Sequence, residues 1–438
     1  MHFGFIKDVS SKHGRIFAGL DIGSTGVRVV VGEIYAGRKN GSSAAPDAKE
    51  ANASSGAIVQ IIGAGYAPSR GIKKGVVINI EQAVDAIREA VEKAEELTGI
   101  DIKTATVGIT GSHIGYITSE GIIAVKEKEI GQKDVEMVLE AARAVATPFD
   151  REILHVIPTE FIVNGQDGIT DPRGMAGVRL EAKVQIITGS AASIQNVLKS
   201  CEKAGLEVAD IVFQPIASAE AVLKQDEKEL GVALIDIGGG TTDIAVFQEG
   251  HLSHFSILAV GGSNFTNDVA IGLRLPFQEA EQAKREFGCT MLSMATPREE
   301  MEMKYSDARQ SRKIPRTHLI EILQPRAEEL FGLIRDEITS KGLHKLLNSG
   351  VVLAGGAVLM EGMDVMAENI LDLPVRTGIP AGVDGERDII GNPGYAAGIG
   401  LVCREANAHI AEHGLNGGGF IHGIKSKIGG LFGGVFKN

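Results

Sequence analysis

The sequence predicts an α/β protein of two related halves with a ligand cleft between them. Three observations carry this prediction. An apolar strand, a turn opening on Asp-Ile-Gly and a β-branched second strand occur twice, as IFAGL-DIGSTG-VRVVVGE (Ile16 to Glu33) and GVALI-DIGGGTTD-IAVFQEG (Gly231 to Gly250). The two aspartates, Asp21 and Asp236, are half a chain apart in 438 residues, so each hairpin opens one half. Strand patterns alternate with helical ones along most of the chain. Glycine is in excess, 56 residues with only 13 prolines, against a usual ~7% glycine. That excess points to tight turns and to backbone that approaches a ligand closely.

The elements follow in order. After the first hairpin, residues 37–57 carry almost no large apolar side chain and read as a disordered loop. The strand AIVQIIGAGY (57–66) comes next. Residues 81–98 place Val84, Ile87, Val91, Ala94 and Leu97 at helical spacing. Strands and one more helix (132–146) continue to about Val163. The strand EAKVQIITG, a helix with Ser190 as its N-cap candidate, and the strand EVADIVF form a βαβ-like passage. Residues 263–345 are largely helical in pattern, and the Met- and charge-rich stretch 288–316 reads as loop. VVLAGGAVLMEGM (351–363) is a buried strand ending in Gly-Gly. The folded part is expected to end near Arg404, with a polar tether over 406–419.

Composition excludes several classes. A net charge of −12 argues against a nucleic-acid binder that relies on bulk electrostatics. Three distant cysteines form neither a disulfide framework nor a CxxC metal knuckle. No apolar run approaches ~18 residues, and the N-terminus lacks a signal-peptide core; a cytosolic chain is expected. There is no GxxxxGK[ST], GxGxxG or HExxH.

The hairpins carry the chemistry. An Asp at the end of a buried strand directs its carboxylate into the cleft, and the glycines after it expose N–H groups that converge on an anionic oxygen. Two such turns face to face clamp a polyphosphate. Carboxylates repel phosphate, so a Mg²⁺ held through its waters reconciles them. A single DxG turn is most often a plain hairpin. Two of them, with a third Gly-Gly turn ending a buried strand, form a set.

That set resembles the phosphate-one, phosphate-two and adenosine motifs of the actin/Hsp70/sugar-kinase ATPase superfamily, at DIGSTGVR (21–28), DIGGGTTDIAVF (236–247) and VVLAGGAVLMEGM (351–363). FQPIASAEAVL (213–223) and NPGYAAGIGL (392–401) are similar to its two connections between halves. GIKKGVVINIEQAVDAI (71–87), VGITGSHI (107–114) and GGSNFTNDVA (261–270) narrow the resemblance to the FtsA family of bacterial cell division. It covers nearly all of residues 15–438. The resemblance implies an actin-like ATPase fold with cores at 15–80 with 165–212 and at 213–260 with 345–405. A small α/β subdomain is expected inserted at 81–164, and an upper subdomain at 261–344. It implies ATP and Mg²⁺ as ligands. Asp21, Asp236 and Asp243 would hold the Mg²⁺ waters, and Ser24, Thr25, Gly238, Gly239, Gly240 and Thr241 would cradle phosphates. Gln214 would position a water, Glu281, Lys284 and Arg285 would border adenine and ribose, and Gly355 and Gly356 would lie against the nucleoside.

The resemblance also implies partners and place. A C-terminal FtsZ peptide would dock on 261–344, later division proteins would be recruited, and self-association into filaments would use the inserted subdomain. The chain would anchor FtsZ filaments to the cytoplasmic face of the inner membrane at midcell, binding nucleotide and hydrolysing it slowly at most. The rival readings are a PilM-like pilus-assembly actin homologue and a small-metabolite kinase. A kinase needs an Asp base aimed at a substrate hydroxyl, and no second Asp motif supplies one.

The tail speaks for itself. In FIHGIKSKIGGLFGGVFK, Ile421, Ile424, Ile428, Leu431, Phe432, Val435 and Phe436 fall on one helical stripe, with Lys425, Lys427 and Lys437 outside it. A basic helix with one apolar face lies in a membrane interface, favouring anionic lipids.

Overall fold

In a computed structural model of the chain, residues 15–36, 57–144, 148–296, 299–303 and 312–412 are described. Two sheets with the same strand order organise the halves. In the first, Arg15–Ile22 lies at the centre, antiparallel to Gly26–Ala36, which pairs in turn with Ala57–Pro68. On its other side Thr104–Ile109 and then Glu207–Phe213 run parallel to it. In the second, Val232–Ile237 is central, with Thr242–Gln248 and His251–Leu258 on the antiparallel side and Val351–Ala354 and Val375–Thr377 on the parallel side. The repeated hairpin therefore occupies the same place in both sheets. A late strand, Val383–Gly385, adds itself to the edge of the first sheet beside Ala57–Pro68 and ties the halves together.

The strands are apolar because both faces are covered. Leu20, Val29, Val31 and Ile61 of the first sheet and Ala233, Ile235, Ile244 and Leu353 of the second are buried. The helix Ile80–Thr98 starts on an Asn79 cap and ends at Gly99 in left-handed geometry. Ala83, Ala86, Ile87 and Ala90 form its buried stripe against the first sheet, while Leu97 of the expected stripe is 72% exposed. Ser190 caps the helix Ala191–Ala204, accepting from the Ser193 amide, as its position at the strand end indicates.

Three boundaries differ from those expected. The inserted unit is a four-stranded antiparallel sheet of Gly115–Ala124, Arg179–Ser190, Arg151–Val163 and Gln166–Ile169, covered by the helix Gln132–Arg143. It has its own core of Val135, Val138, Leu139, Phe161, Leu180 and Ile186. The expected span 81–164 misplaced it: the helix at 80–98 belongs to the first sheet's core, and the strand at 179–190 belongs to the insertion. Within 288–316, read as loop, Glu300–Met303 pairs antiparallel with Arg312–Pro315. Met301 and Met303 alternate inward there. The tether expected from 406 does not start there, because the helix Ala396–Glu412 runs on with Ala406 and Ile410 buried.

Two helices connect the halves and cross closely. A Cβ at Gly400 would lie 1.8 Å from the Ala217 carbonyl oxygen, so glycine lets the helix Ala396–Glu412 rest directly on the helix Gln214–Val222. Arg404 and Glu220 pair across the crossing at 2.7 Å. Of the loop expected at 37–57, residue Ala57 opens a strand and residues 37–56 lie outside the described residues, as do the residues of the expected tether from 413 and the expected membrane stripe from Ile421 to Phe436.

Candidate functional site

The two hairpins build the site by the same local geometry. In the first, Asp21 is one residue from the strand end, and the turn closes with the Gly23 amide donating to the Gly26 carbonyl at 3.1 Å. In the second, Asp236 is one residue from the strand end, and the Gly238 amide donates to the Thr241 carbonyl at 2.9 Å. The residues opposite the aspartates differ: Arg28 faces Asp21 and Asp243 faces Asp236. One hairpin thus brings a cation to the cleft and the other a second anion.

The turns meet across the cleft. A Cβ at Gly239 would lie 2.3 Å from the Thr25 side chain, and one at Gly240 2.5 Å from Ser24 Oγ. Only glycine allows the two backbones this near one another. The helix Gly262–Leu273 supports the second turn from behind, with the Gly262 and Ser263 amides donating to the carbonyls of Gly238 and Gly239 at 2.9 and 2.8 Å.

Asp21, Asp236 and Asp243 converge in the interior between the turns. Gln214 Nε2 donates to Asp21 Oδ1 at 2.6 Å, Ser218 Oγ to Asp236 Oδ2 at 2.7 Å, and Thr110 Oγ1 to Asp243 Oδ2 at 2.7 Å. Asp243 Oδ1 is buried without a hydrogen-bond partner. Burial pushes Asp21 up to about 6, with Arg28 opposing and Asp236 adding to the rise. Burial, then the neighbouring Asp236, pushes Asp243 up to about 8. Asp236 is raised as well, again chiefly by burial, against its Ser218 bond and Arg28. Three carboxylates share one interior and repel one another.

Arg28 is the cation set against them. It approaches Asp21 at 3.7 Å, and its guanidinium lies 5.4 Å from the Tyr66 ring centre and 5.7 Å from that of Tyr395. Those stacking contacts hold it beside the carboxylates. Arg28, Thr110 and Ser218 were not singled out from the sequence. The signal for Arg28 was available in hairpin register, because it falls opposite Asp21.

The nucleoside candidates cluster in the second half. Lys284 donates to the Gly262 carbonyl at 3.0 Å and to Thr266 Oγ1 at 2.9 Å, and pairs with Glu281 at 2.7 Å. Thr266 also hydrogen-bonds Glu281. Burial lowers Lys284 below the usual lysine range, with Glu281 opposing. Arg285 is exposed on the same helix, Phe277–Phe287. Gly355 has φ +90°, and a Cβ there would lie 2.5 Å from Asp236 Oδ1, so this turn must be glycine for the carboxylate to fit. Gly356 follows it, facing the Arg28 guanidinium.

Comparison with known proteins places this geometry. The family model described as "Cell division protein FtsA" matches residues 233–400, and that described as "SHS2 domain inserted in FTSA" matches residues 111–188. The chain is 41% identical over 393 residues to the cell division protein FtsA of Pseudomonas aeruginosa, covering 90% of each. The chain belongs to the FtsA family of cell division proteins.

The FtsA of Bacillus subtilis is 39% identical over 399 residues, covering 90% of this chain and 85% of that one. The FtsA of Escherichia coli is 34% identical over 403 residues, covering 90% and 91%. Among solved structures, the PilM–PilN type IV pilus biogenesis complex matches with a TM-score of 0.61 at 16% identity, over 89% of this chain and 98% of that one. MreB5 of Spiroplasma citri bound to ADP matches with a TM-score of 0.52 at 14% identity, over 91% and 99%. These likenesses show the actin-like fold. The family-model span 111–188 falls on the four-stranded insertion, and FtsA membership sets aside the pilus and metabolite-kinase readings.

Proposed function

We propose that the cleft binds ATP with Mg²⁺, and that the bound nucleotide sets the relative position of the two halves in a membrane-tethered adaptor of cell division. The observation that supports this reading is the charge of the site. Asp21 and Asp243 are buried with the part-buried Asp236 beside them, Arg28 opposes them, and Asp243 Oδ1 has no partner. A divalent cation fits that donor set. Among the described residues no group of three or more carboxylate, His or Cys side chains is arranged for direct coordination, which favours holding Mg²⁺ through its retained waters. When bound, the ion neutralises phosphate charge.

The phosphates would lie between Ser24 and Thr25 of the first turn and Gly238, Gly239, Gly240 and Thr241 of the second. Arg28 adds a positive charge at the same place. Glu281, Lys284 and Arg285 would border the adenosine, and Gly355 and Gly356 would lie against it. Gln214 would hold a water near the terminal phosphate. The MreB5 neighbour binds ADP, which is in keeping with this use of the fold.

Family membership favours the rest of the reading. The 420–438 segment would anchor the chain to anionic lipids at the cytoplasmic face of the inner membrane at the septum. The FtsZ C-terminal peptide would dock on the 261–344 region, later division proteins would be recruited, and the insertion would serve self-association into filaments.

The test is titration calorimetry with ATP and Mg²⁺. Asp236→Ala removes one charge of the ion's shell and should weaken binding more than tenfold, above ~1.4 kcal/mol. Unchanged affinity would overturn the phosphate-two assignment.

A further inference from the structure

A third segment reaches the place where the two turns meet. Ile72–Lys73 and Val76–Val77 form a short antiparallel hairpin closed by Lys74 and Gly75. Both turn residues are left-handed, with φ 51° and 76°. A two-residue turn of this kind favours Asn-Gly or Asp-Gly, and the Asn164–Gly165 turn of the insertion follows that rule. At position 74 a lysine stands where asparagine or glycine would be less crowded.

The turn is seated against both halves. The Gly75 amide donates to Ser24 Oγ at 3.0 Å. A Cβ at Gly75 would lie 2.4 Å from the Thr110 carbonyl oxygen, and one at Gly240 3.2 Å from Lys74 Cα. Lys74 therefore sits among Ser24 of the first turn, Gly240 of the second, and Thr110, whose hydroxyl holds Asp243. Its side chain is exposed, and no ion pair or hydrogen bond engages it among the described residues. Arg28, not Lys74, acts on Asp21 and Asp236.

Position along the second turn tells which phosphate it meets. A Cβ at Gly262 would lie 3.5 Å from both the Gly238 carbonyl oxygen and Ala357, and 3.6 Å from Lys284 Nζ. With Lys284 and the Gly355–Gly356 turn beside Ala357 assigned to the nucleoside as proposed above, the nucleoside side of the site adjoins Gly238, at one end of the turn. Lys74 adjoins Gly240, two residues further on. A polyphosphate that starts at the nucleoside and runs along the turn ends beside Lys74.

We propose that Lys74 reads the terminal phosphate of a nucleoside triphosphate, its flexible ammonium pairing with that group while its turn carries the contact to Ser24 and Gly240. The inference rests on the ATP–Mg²⁺ reading above. It makes Lys74 a residue that distinguishes tri- from diphosphate.

The experiment titrates ATP and ADP, each with Mg²⁺, into the full chain as wild type, Lys74→Ala, Lys74→Gly and Lys74→Arg. The Ala and Gly variants should lose about tenfold or more in ATP affinity and keep ADP affinity within about twofold, and Arg should retain the preference for ATP. Lys74→Gly decides between charge and scaffold, because glycine keeps the left-handed turn and removes only the side chain. Wild-type ATP affinity in that variant, or an equal loss for both nucleotides, would overturn the proposal. A wild type that binds both nucleotides while the variants leave their ratio unchanged sinks the Lys74 assignment alone. A wild type that binds neither sinks the nucleotide reading and this inference together.

Discussion

Replacing Asp243 with asparagine should stabilise the protein in the absence of metal and nucleotide. Asp243 is buried, faces Asp236 across the hairpin and has an unpartnered Oδ1. Burial and the two neighbouring aspartates push its carboxyl from 3.8 up to about 8. At neutral pH the unfolded chain carries this group ionised, and folding must protonate it. A difference of that size corresponds to a folding cost of about 4 kcal/mol at pH ~7. Asparagine keeps the size and an oxygen for Thr110, and it carries no charge to be removed from water.

The sign with pH is fixed by the direction of the shift. A carboxyl raised on folding leaves stability intact below about pH 4, near its unfolded value, and subtracts from it as pH rises toward about 8. Asp243→Asn should therefore match wild type at the acid end and exceed it increasingly, by about 1.4 kcal/mol per pH unit. Between about pH 5.5 and about pH 8 the advantage should grow by roughly 3 kcal/mol. Denaturant unfolding in chelator across that range measures it. Added ATP and Mg²⁺ should stabilise wild type more than the variant, because the variant lacks one carboxylate of the ion's shell. A variant less stable than wild type at every pH, or an advantage that does not grow with pH, would refute the shared-field account of the three aspartates.

Gly239→Ala places a Cβ 2.3 Å from Thr25, so it should force the turns apart and cut ATP affinity at least about tenfold; adding Thr25→Ala should recover part of the loss, and full affinity in the single variant would show that the turns do not need this contact. Ending the chain at Gly419, or changing Phe432 to Glu, should abolish flotation with anionic vesicles while ATP binding persists. A truncated chain that still floats would exclude the tail as the anchor.

What could be read from the sequence divides by distance along the chain. The hairpins were legible because Asp21 and Asp236 each lie one residue before the end of an apolar strand, with glycine two positions on. Gly355, Gly356 and the Ser190 cap were legible for the same local reason. Thr110 was not, because the carboxylate it holds is 133 residues away. The boundary of the insertion failed on packing: the periodic helix at 80–98 says nothing about which sheet it covers, and its small buried face of Ala83, Ala86 and Ala90 fits the first core. The hairpin at 300–315 failed on composition, since Met301 and Met303 alternate with glutamates in a stretch that looks polar overall. The helix running to Glu412 was cut short because its polar residues mask the buried Ala406 and Ile410.

The helix Gln214–Val222 gives the fold its coupling. Gln214 and Ser218 are one helical turn apart and so share a face. Gln214 holds Asp21 of the first half, and Ser218 holds Asp236 of the second. The opposite contacts of this helix are fixed by the close crossing at Gly400 and Ala217 and by the Arg404–Glu220 pair. Any movement that separates Asp21 from Asp236 must break one of the two hydrogen bonds or turn the helix on that crossing. Charge placed between the aspartates therefore acts on the connection between the halves as directly as on the turns themselves. A ligand that binds one arrangement of the aspartates better than another shifts the halves by that difference in affinity. The segment that links the two halves is thus also part of the site's wall.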